Sequence, residues 1–426
     1  MTPLQSEVVH NEETPLIKKV EQTPLPWNTM FIICLTILAE PISLSILFPF
    51  VYFMVKDFGT IKEENIGYSV GFISSAFSAA QLLTSVGWGW FSDKYGRRPA
   101  ILIGLIGNSM SMICFGFSKS LAWAILTRFT CGFLNGNIGV AKSMLGEITD
   151  KTNQAKAFSL IGLNYGIGMI VGPSLGGLLA DPVANLPFFG NLGFITTFLT
   201  NYPYFLPCLC SSLITLVGFM IGYLYLPETC QRLLAERAAD DTTLIYESIQ
   251  EESSSSTLSI TSGEISLSDC DSDYLDTHDL IPEITQNEKQ GIGFRAIACS
   301  IAFMLLALEN IVFVESFPLW AVATPGIGLG FSAQKIGACL SFMGIPTVLC
   351  QIFFYPWIST KATPLQIFRV PILFLFSTFI FLPMISTFVA PNEDLAAYLW
   401  PSLLIFMGIR AFSEQLSFTS VNILVF

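Results

Sequence analysis

Ten long apolar segments, separated by short polar turns, follow one another along the chain. Each has about the 20 residues that an α-helix needs to cross the hydrocarbon core of a bilayer. One long polar stretch separates the first six segments from the last four. The segments cover residues 29–54, 68–92, 100–118, 121–143, 156–180, 204–226, 293–322, 333–357, 367–390 and 396–424. The pattern predicts an all-helical protein in a lipid bilayer, with a six-span N-terminal bundle and about four spans in a C-terminal bundle.

Two polar segments lie outside these spans. Residues 1–28 contain several prolines and no apolar run, which predicts a disordered cytosolic tail. Residues 227–292 hold fifteen acids against three bases, so this segment accounts for the whole formal net charge of −12. With its run of four serines, it is expected to be a flexible, disordered cytosolic loop. The two bundles are therefore placed at residues 29–226 and 293–426.

The composition agrees with a membrane protein. Only 12% of the residues are charged and 52% are hydrophobic, whereas soluble domains contain roughly 25% charged residues. The ten cysteines have neither the spacing of a metal site nor that of a secreted disulfide framework. The sequence also contains no phosphate-binding loop for a nucleotide. We therefore expect no enzyme activity, no cofactor, no bound metal and no nucleic-acid partner.

A charged turn, Trp88–Pro99, lies between the second and third spans. Gly96 suits a turn with positive φ, and Pro99 suits the first turn of the next helix. The bases predict a cytosolic position by the positive-inside rule, but a plain topology signal would not need the acid or the glycines. The turn resembles the loop between spans two and three of the major facilitator superfamily, which implies a cytosolic gate. The positions of this gate motif are Gly89, Asp93, Lys94, Gly96, Arg97 and Arg98.

Span five carries a regularly spaced set of small residues. Glycines four residues apart allow helix backbones to approach closely, and a proline removes one backbone hydrogen bond and bends the helix. The set is Ser159, Gly168, Gly172, Pro173, Gly176 and Gly177. It resembles the antiporter signature of the proton-coupled drug-export branch of the superfamily, which implies a glycine face that seals a contact with span two against leak. Generic small-residue packing is the alternative.

Several ionisable residues fall inside apolar spans, where a charge is costly unless it is paired or faces water. Glu40 lies about 16 Å into span one at ~1.5 Å per residue, near the bilayer centre. A carboxyl there could bind and release a proton, or it could be a neutral or ion-paired residue that joins two helices. The arginine of span four begins an Arg-x-x-x-Gly pattern whose family resemblance implies a role in proton coupling. The candidates for proton coupling and transport are Glu40, Arg128, Glu309, Glu315 and Arg410. For Arg410, the alternative is a structural ion pair with Glu414, one helical turn away.

Neutral polar side chains occur in the same spans and could line a central cavity as hydrogen-bonding groups. Each of them alone could equally join two helices. They are Gln81, Asn135, Asn137, Asn164 and Tyr165.

An internal repeat relates the two bundles. Phe48-Pro49 and Phe317-Pro318 are 269 residues apart, and the same offset relates Glu40 to Glu309. Parallel repeats related by an axis along the membrane normal are known from transporters. The repeat predicts two related halves with carboxyls at equivalent places.

The end of span six, Leu226-Pro227-Glu228-Thr229, and Phe317–Trp320 extend the resemblance. Over residues 29–426 the chain is similar to the zinc-induced-facilitator-like and tetracycline-resistance-like drug:proton antiporters. This implies a monomeric carrier that exchanges a small solute or ion for protons by alternating access. A facilitator or symporter without antiport, and a non-transporting sensor or truncated product, are the alternatives. A zinc site in the pore is not expected, because both histidines lie in the predicted tail and loop.

The family has twelve spans, whereas the tenth apolar segment ends close to Phe426. We expect either an incomplete sequence or a truncated carrier. Residues 12–17 resemble an acidic dileucine sorting signal, which points to a vacuolar or endosomal membrane, with the plasma membrane as the alternative. No motif predicts the substrate, the direction or the stoichiometry of transport.

Overall fold

The computed structural model describes residues 23–235 except 151 and 192, and residues 294–425 except 325–326, 386 and 388–397. The predicted disordered tail therefore lies outside the described residues except for 23–28, and the predicted acidic loop except for 227–235. The sorting signal at 12–17 also lies outside them. Within the overlap, the first helix begins at Trp27 and residues 231–235 are helical. Residues 27–28 and 231–235 therefore differ from the predicted disorder.

Helices joined by turns form the N-terminal half. A 3-10 turn at Glu63–Asn65 precedes the longest of them. The helices are α1 Trp27–Ile37, α2 Ala39–Ser45, α3 Val51–Asp57, α4 Ile66–Tyr95, α5 Arg97–Gly116, α6 Leu121–Phe133, α7 Asn137–Ile148, α8 Gln154–Leu179, α9 Pro182–Asn185, α10 Phe194–Asn201 and α11 Phe205–Tyr225.

The described part of the C-terminal half is also helical. A π-helical stretch, Cys350–Phe354, joins two of its helices into one continuous rod. The helices are α12 Phe294–Val322, α13 Ala333–Leu349, α14 Tyr355–Ser359, α15 Pro364–Met384 and α16 Leu399–Val425.

Eight helices or helix groups in the described ranges are long and apolar enough to cross a membrane. The other two predicted spans are helical as well. The segment 121–143 falls on α6 and α7, and the segment 396–424 falls on α16, a helix of 27 residues that carries Arg410 and Glu414. The all-helical fold class is confirmed.

Two predicted spans are interrupted. Span one stops after α2 and resumes as α3, because Pro49 lies in the turn between them and lacks the amide hydrogen that a continuous helix would need. Span four stops after Phe133 and resumes at Asn137. The indole of Trp88 donates a 2.9 Å hydrogen bond to the carbonyl of Phe133, one of the groups that the break leaves free.

The two halves meet along α8 and α13, where glycines replace side chains. A Cβ added to Gly177 would lie 3.1 Å from the Cα of Gly337, and a Cβ on Gly337 would lie 3.0 Å from the Cα of Gly177. Nearby, Ser174 donates a 2.7 Å hydrogen bond to Ser341. The helix backbones therefore touch directly, as small residues allow in membranes.

Three further glycines of α8 pack against span one. A Cβ on Gly168 would lie 2.5 Å from the Cβ of Pro41, and one on Gly172 would lie 2.9 Å from the carbonyl of Ile42. Gly176 similarly abuts the carbonyl of Ile46. The implied partner, span two, is therefore wrong for these glycines. The physical reason is that span one presents the ring of Pro41 and the carbonyls of Ile42 and Ile46 to these glycines.

A small polar clamp ties the first described residues to the turn between α7 and α8. The hydroxyl of Thr23 donates to the carboxylate of Asp150, and the amide of Thr23 donates to the hydroxyl of Thr152 at 3.2 Å. Hydrogen bonds from the Thr152 and Thr23 hydroxyls and from backbone amides lower the pKa of Asp150 to about 2. Since Leu25 is buried beside the clamp, the segment 23–26 is held against the bundle.

We predict that Asp150→Ala opens this clamp and speeds amide hydrogen exchange in residues 25–30. Because the pKa of Asp150 is lowered, its contribution is present above the unfolded value of about 4 and is lost as the pH falls towards about 2. Exchange measured by mass spectrometry at neutral pH checks the expectation, with Glu64→Ala, an exposed acid in the turn before α4, as control. Unchanged exchange in Asp150→Ala would contradict it.

Candidate functional site

A small pocket with several polar side chains lies inside the N-terminal half, between the helices of spans one to five. Its volume is about 90 Å³, enough for a few water molecules. Four of the five neutral side chains proposed as cavity candidates line it, together with the acid of span one and the arginine of span four. The polar lining comprises Glu40, Ser43, Gln81, Asn108, Arg128, Asn135, Asn164 and Tyr165.

Glu40 is buried on α2, with only 5% of its surface exposed. The side chain of Asn135, from the break in span four, hydrogen-bonds to it. The second carboxyl oxygen of Glu40 has no hydrogen-bond partner among the described residues. An unpartnered carboxyl oxygen in a buried place is expensive, so the pocket offers an acceptor that a proton, water or a ligand can satisfy.

The other asparagines differ in what they contribute. The side-chain amide of Asn164 donates a 2.7 Å hydrogen bond to the carbonyl of Cys34 and so joins α8 to α1. Asn108 donates to Ser43 at 3.1 Å and accepts from Cys131 at 3.1 Å, although nothing singled it out in the sequence. Asn137 does not line the pocket. Its side chain packs against Gly104 of α5, so its prediction as a cavity residue is wrong: it begins α7 and points away from the break.

Arg128 lies between this pocket and a second cavity. It is buried, its guanidinium lies 4.7 Å from the ring centre of Phe77, and its Nε finds no hydrogen-bond acceptor in the described residues. Cation–π contact of this kind stabilises a desolvated arginine. Arg128 and Phe77 line both cavities, so one cation borders the two spaces.

The second cavity lies between the halves and has a volume of about 290 Å³. Its walls come from spans one, two and four of the N-terminal half and from α12 of the C-terminal half. Glu315 of α12 lines it and accepts a 2.9 Å hydrogen bond from Ser74 of α4. This cavity is large enough to accept a small solute, and it places a carboxyl and a guanidinium on opposite halves.

A charge cluster forms the equivalent feature of the C-terminal half. The guanidinium of Arg410 lies 3.3 Å from Glu309 and 3.4 Å from Glu414. The ring of Phe313 lies 3.7 Å below it. Arg410 therefore lies beside Glu414, as the structural alternative predicted, and also beside a second acid, Glu309. Glu309 lines neither of the two cavities described above.

The gate motif forms a network at one end of the N-terminal half. Gly96 has a φ of +109°, as expected for the turn between α4 and α5. Arg97 lies 2.6 Å from Asp93 and 3.0 Å from Glu147 at the end of α7. Lys94 lies 5.0 Å from the ring centre of Trp90. Arg98 donates a 2.5 Å bond to a backbone carbonyl of α11, whereas nothing lies near the Cα of Gly89 that would exclude a side chain.

Glu228 completes this network, and sequence reasoning gave it no role. Its carboxylate accepts the backbone amides of Arg97 and Arg98 at 2.8 and 3.1 Å, which caps the start of α5. It also accepts the amides of Thr229 and Cys230, each at 3.0 Å. The only signal in the sequence was the Pro-Glu-Thr exit of span six, which does not reveal contacts with residues 130 positions earlier. Glu147, which carried no motif, was missed for the same reason.

We predict that Glu228→Ala lowers the free energy of unfolding by about 1–2 kcal/mol, the cost of losing a helix cap. Glu228→Gln keeps one acceptor oxygen and should lose less. Thermal unfolding of the purified protein in nanodiscs, with hydrogen exchange of the 96–98 amides, measures both. Wild-type stability of Glu228→Ala together with wild-type exchange would contradict the capping role.

Comparison with known proteins bears on these features. The family model described as Major Facilitator Superfamily matches residues 33–425. The chain belongs to the major facilitator superfamily. The superfamily comprises membrane transporters of small molecules, and the twelve-residue gate motif and the helical fold are those expected for it.

Relatives and solved structures agree with this membership. The chain is 30% identical over 379 residues to a probable peptide/nitrate transporter of Arabidopsis thaliana, covering 87% of this chain and 70% of the relative. It is 31% identical over 353 residues to Protein ZINC INDUCED FACILITATOR-LIKE 1 of the same plant, covering 81% and 66%. The fold resembles the human organic anion transporter MFSD10 with a TM-score of 0.57 at 15% identity, covering 95% of this chain and 87% of that one. The chain thus spans about two thirds of the length of these plant relatives.

Proposed function

We propose that the protein carries a small solute across a membrane by alternating access, in exchange for protons. The observation that carries the proposal is the arrangement around Arg128: a small pocket with the buried acid Glu40 lies on one side and a solute-sized cavity with Glu315 lies on the other. One guanidinium borders both spaces, so a change of charge in the pocket alters the electrostatic potential in the cavity.

Charge burial supports a proton as the coupling ion. An ionised Glu40 would be a desolvated anion with one amide partner, and such a group is costly inside a membrane bundle. In one arrangement Glu40 is protonated and carries no charge. In the other it is ionised, and an approach of Arg128 compensates the negative charge. Exchange between these two arrangements couples a proton to the position of Arg128, which in turn changes the electrostatic potential of the larger cavity.

Alternating access is supported by how the halves are joined. Direct backbone contact between α8 and α13 leaves no interlocking side chains at Gly177 and Gly337, so the halves can tilt about this line with little repacking. The network of Arg97, Asp93 and Glu147 stiffens the cytosolic end of the N-terminal half. Rocking of two rigid halves around a midplane site is the motion of such transporters.

Further features of the proposal follow from the sequence. The carrier works as a monomer, Glu309 provides a second proton-binding acid, and the membrane is vacuolar or endosomal. The larger cavity is lined by one acid, Glu315, and one base, Arg128, which favours a polar solute that can pair with either charge. A symporter is the second candidate function, because nothing in the geometry of the cavities sets the direction of the proton relative to that of the solute.

We predict that Glu40→Gln lowers pH-driven flux at least about tenfold, as expected when a positioned proton-transfer group is removed. The flux is measured in proteoliposomes with an imposed pH gradient. A fluorescent organic cation and a fluorescent organic anion serve as probes. Glu64→Gln, an exposed acid outside the bundle, serves as control and should transport like the wild type.

The same vesicles separate the candidate functions. Antiport predicts probe movement against the proton flow, symport predicts movement with it, and a facilitator predicts flux that does not depend on the gradient. Wild-type flux of Glu40→Gln under a pH gradient would show that Glu40 is not the coupling acid.

A further inference from the structure

The charge cluster of the C-terminal half contains two acids for one base. Glu309 comes from α12, and Arg410 and Glu414 come from successive turns of α16. The arginine is fully buried at 1% exposure, and each glutamate side chain is exposed by only 14%. If all three groups were ionised, the cluster would carry one uncompensated negative charge inside the bundle.

The guanidinium is not committed to either acid. Its distances of 3.3 Å to Glu309 and 3.4 Å to Glu414 are nearly equal and exceed the roughly 2.7–2.9 Å of a charge-assisted hydrogen bond. All three guanidinium nitrogens, and both oxygens of Glu309, have no hydrogen-bond partner in the described part of the chain. A small movement of Arg410 would complete a pair with one acid and leave the other alone.

Few other groups can compensate the extra charge. Among the described residues, the electrostatic neighbours of Glu309 are Arg410 and Glu414. Glu414 has Arg410, the amide of Asn310 and the phenol of Tyr165 around it. Phe313 closes the guanidinium face at 3.7 Å. Among the described residues no second cation faces the cluster, and a proton on either acid would balance the extra charge.

We propose that Glu309, Arg410 and Glu414 form a second proton-binding site, which holds one proton shared between the two carboxyls. When the proton is on one acid, Arg410 pairs with the other, and the acids exchange roles when one carboxyl releases its proton to water and the other takes one up. The step breaks one O–H bond, forms another and moves no other atom between groups. Glu414, which the sequence offered only as a structural partner, is thereby a functional acid.

Tyr165 links this site to the other half. It lines the pocket of Glu40 and faces Glu414, so the two proton sites lie on either side of one side chain of α8. The role of the cluster in transport rests on the proposed proton coupling, whereas its proton count does not. The two acids that share a proton come from spans seven and ten, so a shift of α12 against α16 changes which acid Arg410 can reach.

The test counts protonated carboxyl groups by infrared spectroscopy of the protein in nanodiscs at neutral pH. Glu309→Gln and Glu414→Gln should each have one protonated carboxyl fewer than the wild type, because the remaining acid then pairs with Arg410. Arg410→Gln should have one more, because both acids then need a proton. Glu64→Gln, an exposed acid, should leave the count unchanged.

An unchanged count in both Glu309→Gln and Glu414→Gln, each verified as monodisperse, would overturn the proposal whether or not Arg410→Gln folds. Failure of the proposed function is a separate result, since it shows as wild-type flux of Glu40→Gln in the vesicle assay. The Tyr165→Phe variant tests the link between the sites: we expect the wild-type carboxyl count with a reduced pH-driven flux.

Discussion

The structure depends on the stabilisation of charged side chains away from water, which is possible in only a few ways. Inside a helical membrane bundle, such a group needs an opposite charge, a proton, an aromatic face or a polar cavity. Arg128 uses the ring of Phe77 and the edges of two cavities. Arg410 uses Phe313 and two glutamates. Because each solution needs side chains from several helices, these arginines fix where the spans meet and where polar space remains.

Backbone contact provides the second constraint. Glycines on α8 bring its backbone against α2 on one side and against α13 on the other. Span five is therefore shared between the two halves and holds Tyr165 and Asn164 at the pocket. Leu47 and Phe48 in the break of span one line the larger cavity, and Asn135 in the break of span four lines the pocket. Irregular backbone inside a membrane is tolerated where it lines a cavity, and here it borders both of them.

The positions of the spans, the turn at Gly96 and the gathering of Glu40, Arg128 and Asn135 could be predicted from the sequence, because hydropathy and the cost of buried charge are local properties. Partners distant along the chain could not. The capping of α5 by Glu228 depends on how span six returns to the gate. The packing of Gly172 against α2, and the burial of Asn137 behind Gly104, depend on helix rotation, which a weakly amphipathic membrane helix does not encode in its pattern.

Alternating access requires that the space beside Arg128 opens in turn to the two sides of the membrane. The measurement uses a protein whose ten native cysteines are replaced by serine and which carries Gln81→Cys, a position that lines the pocket. A membrane-impermeant maleimide is applied to either face of vesicles, and the labelling of this cysteine is measured. Alternating access predicts labelling from both faces in proportions that shift with pH. It predicts no labelling of Leu82→Cys, whose side chain lies on the outer surface of α4. Labelling of Gln81→Cys from one face only at every pH would contradict it.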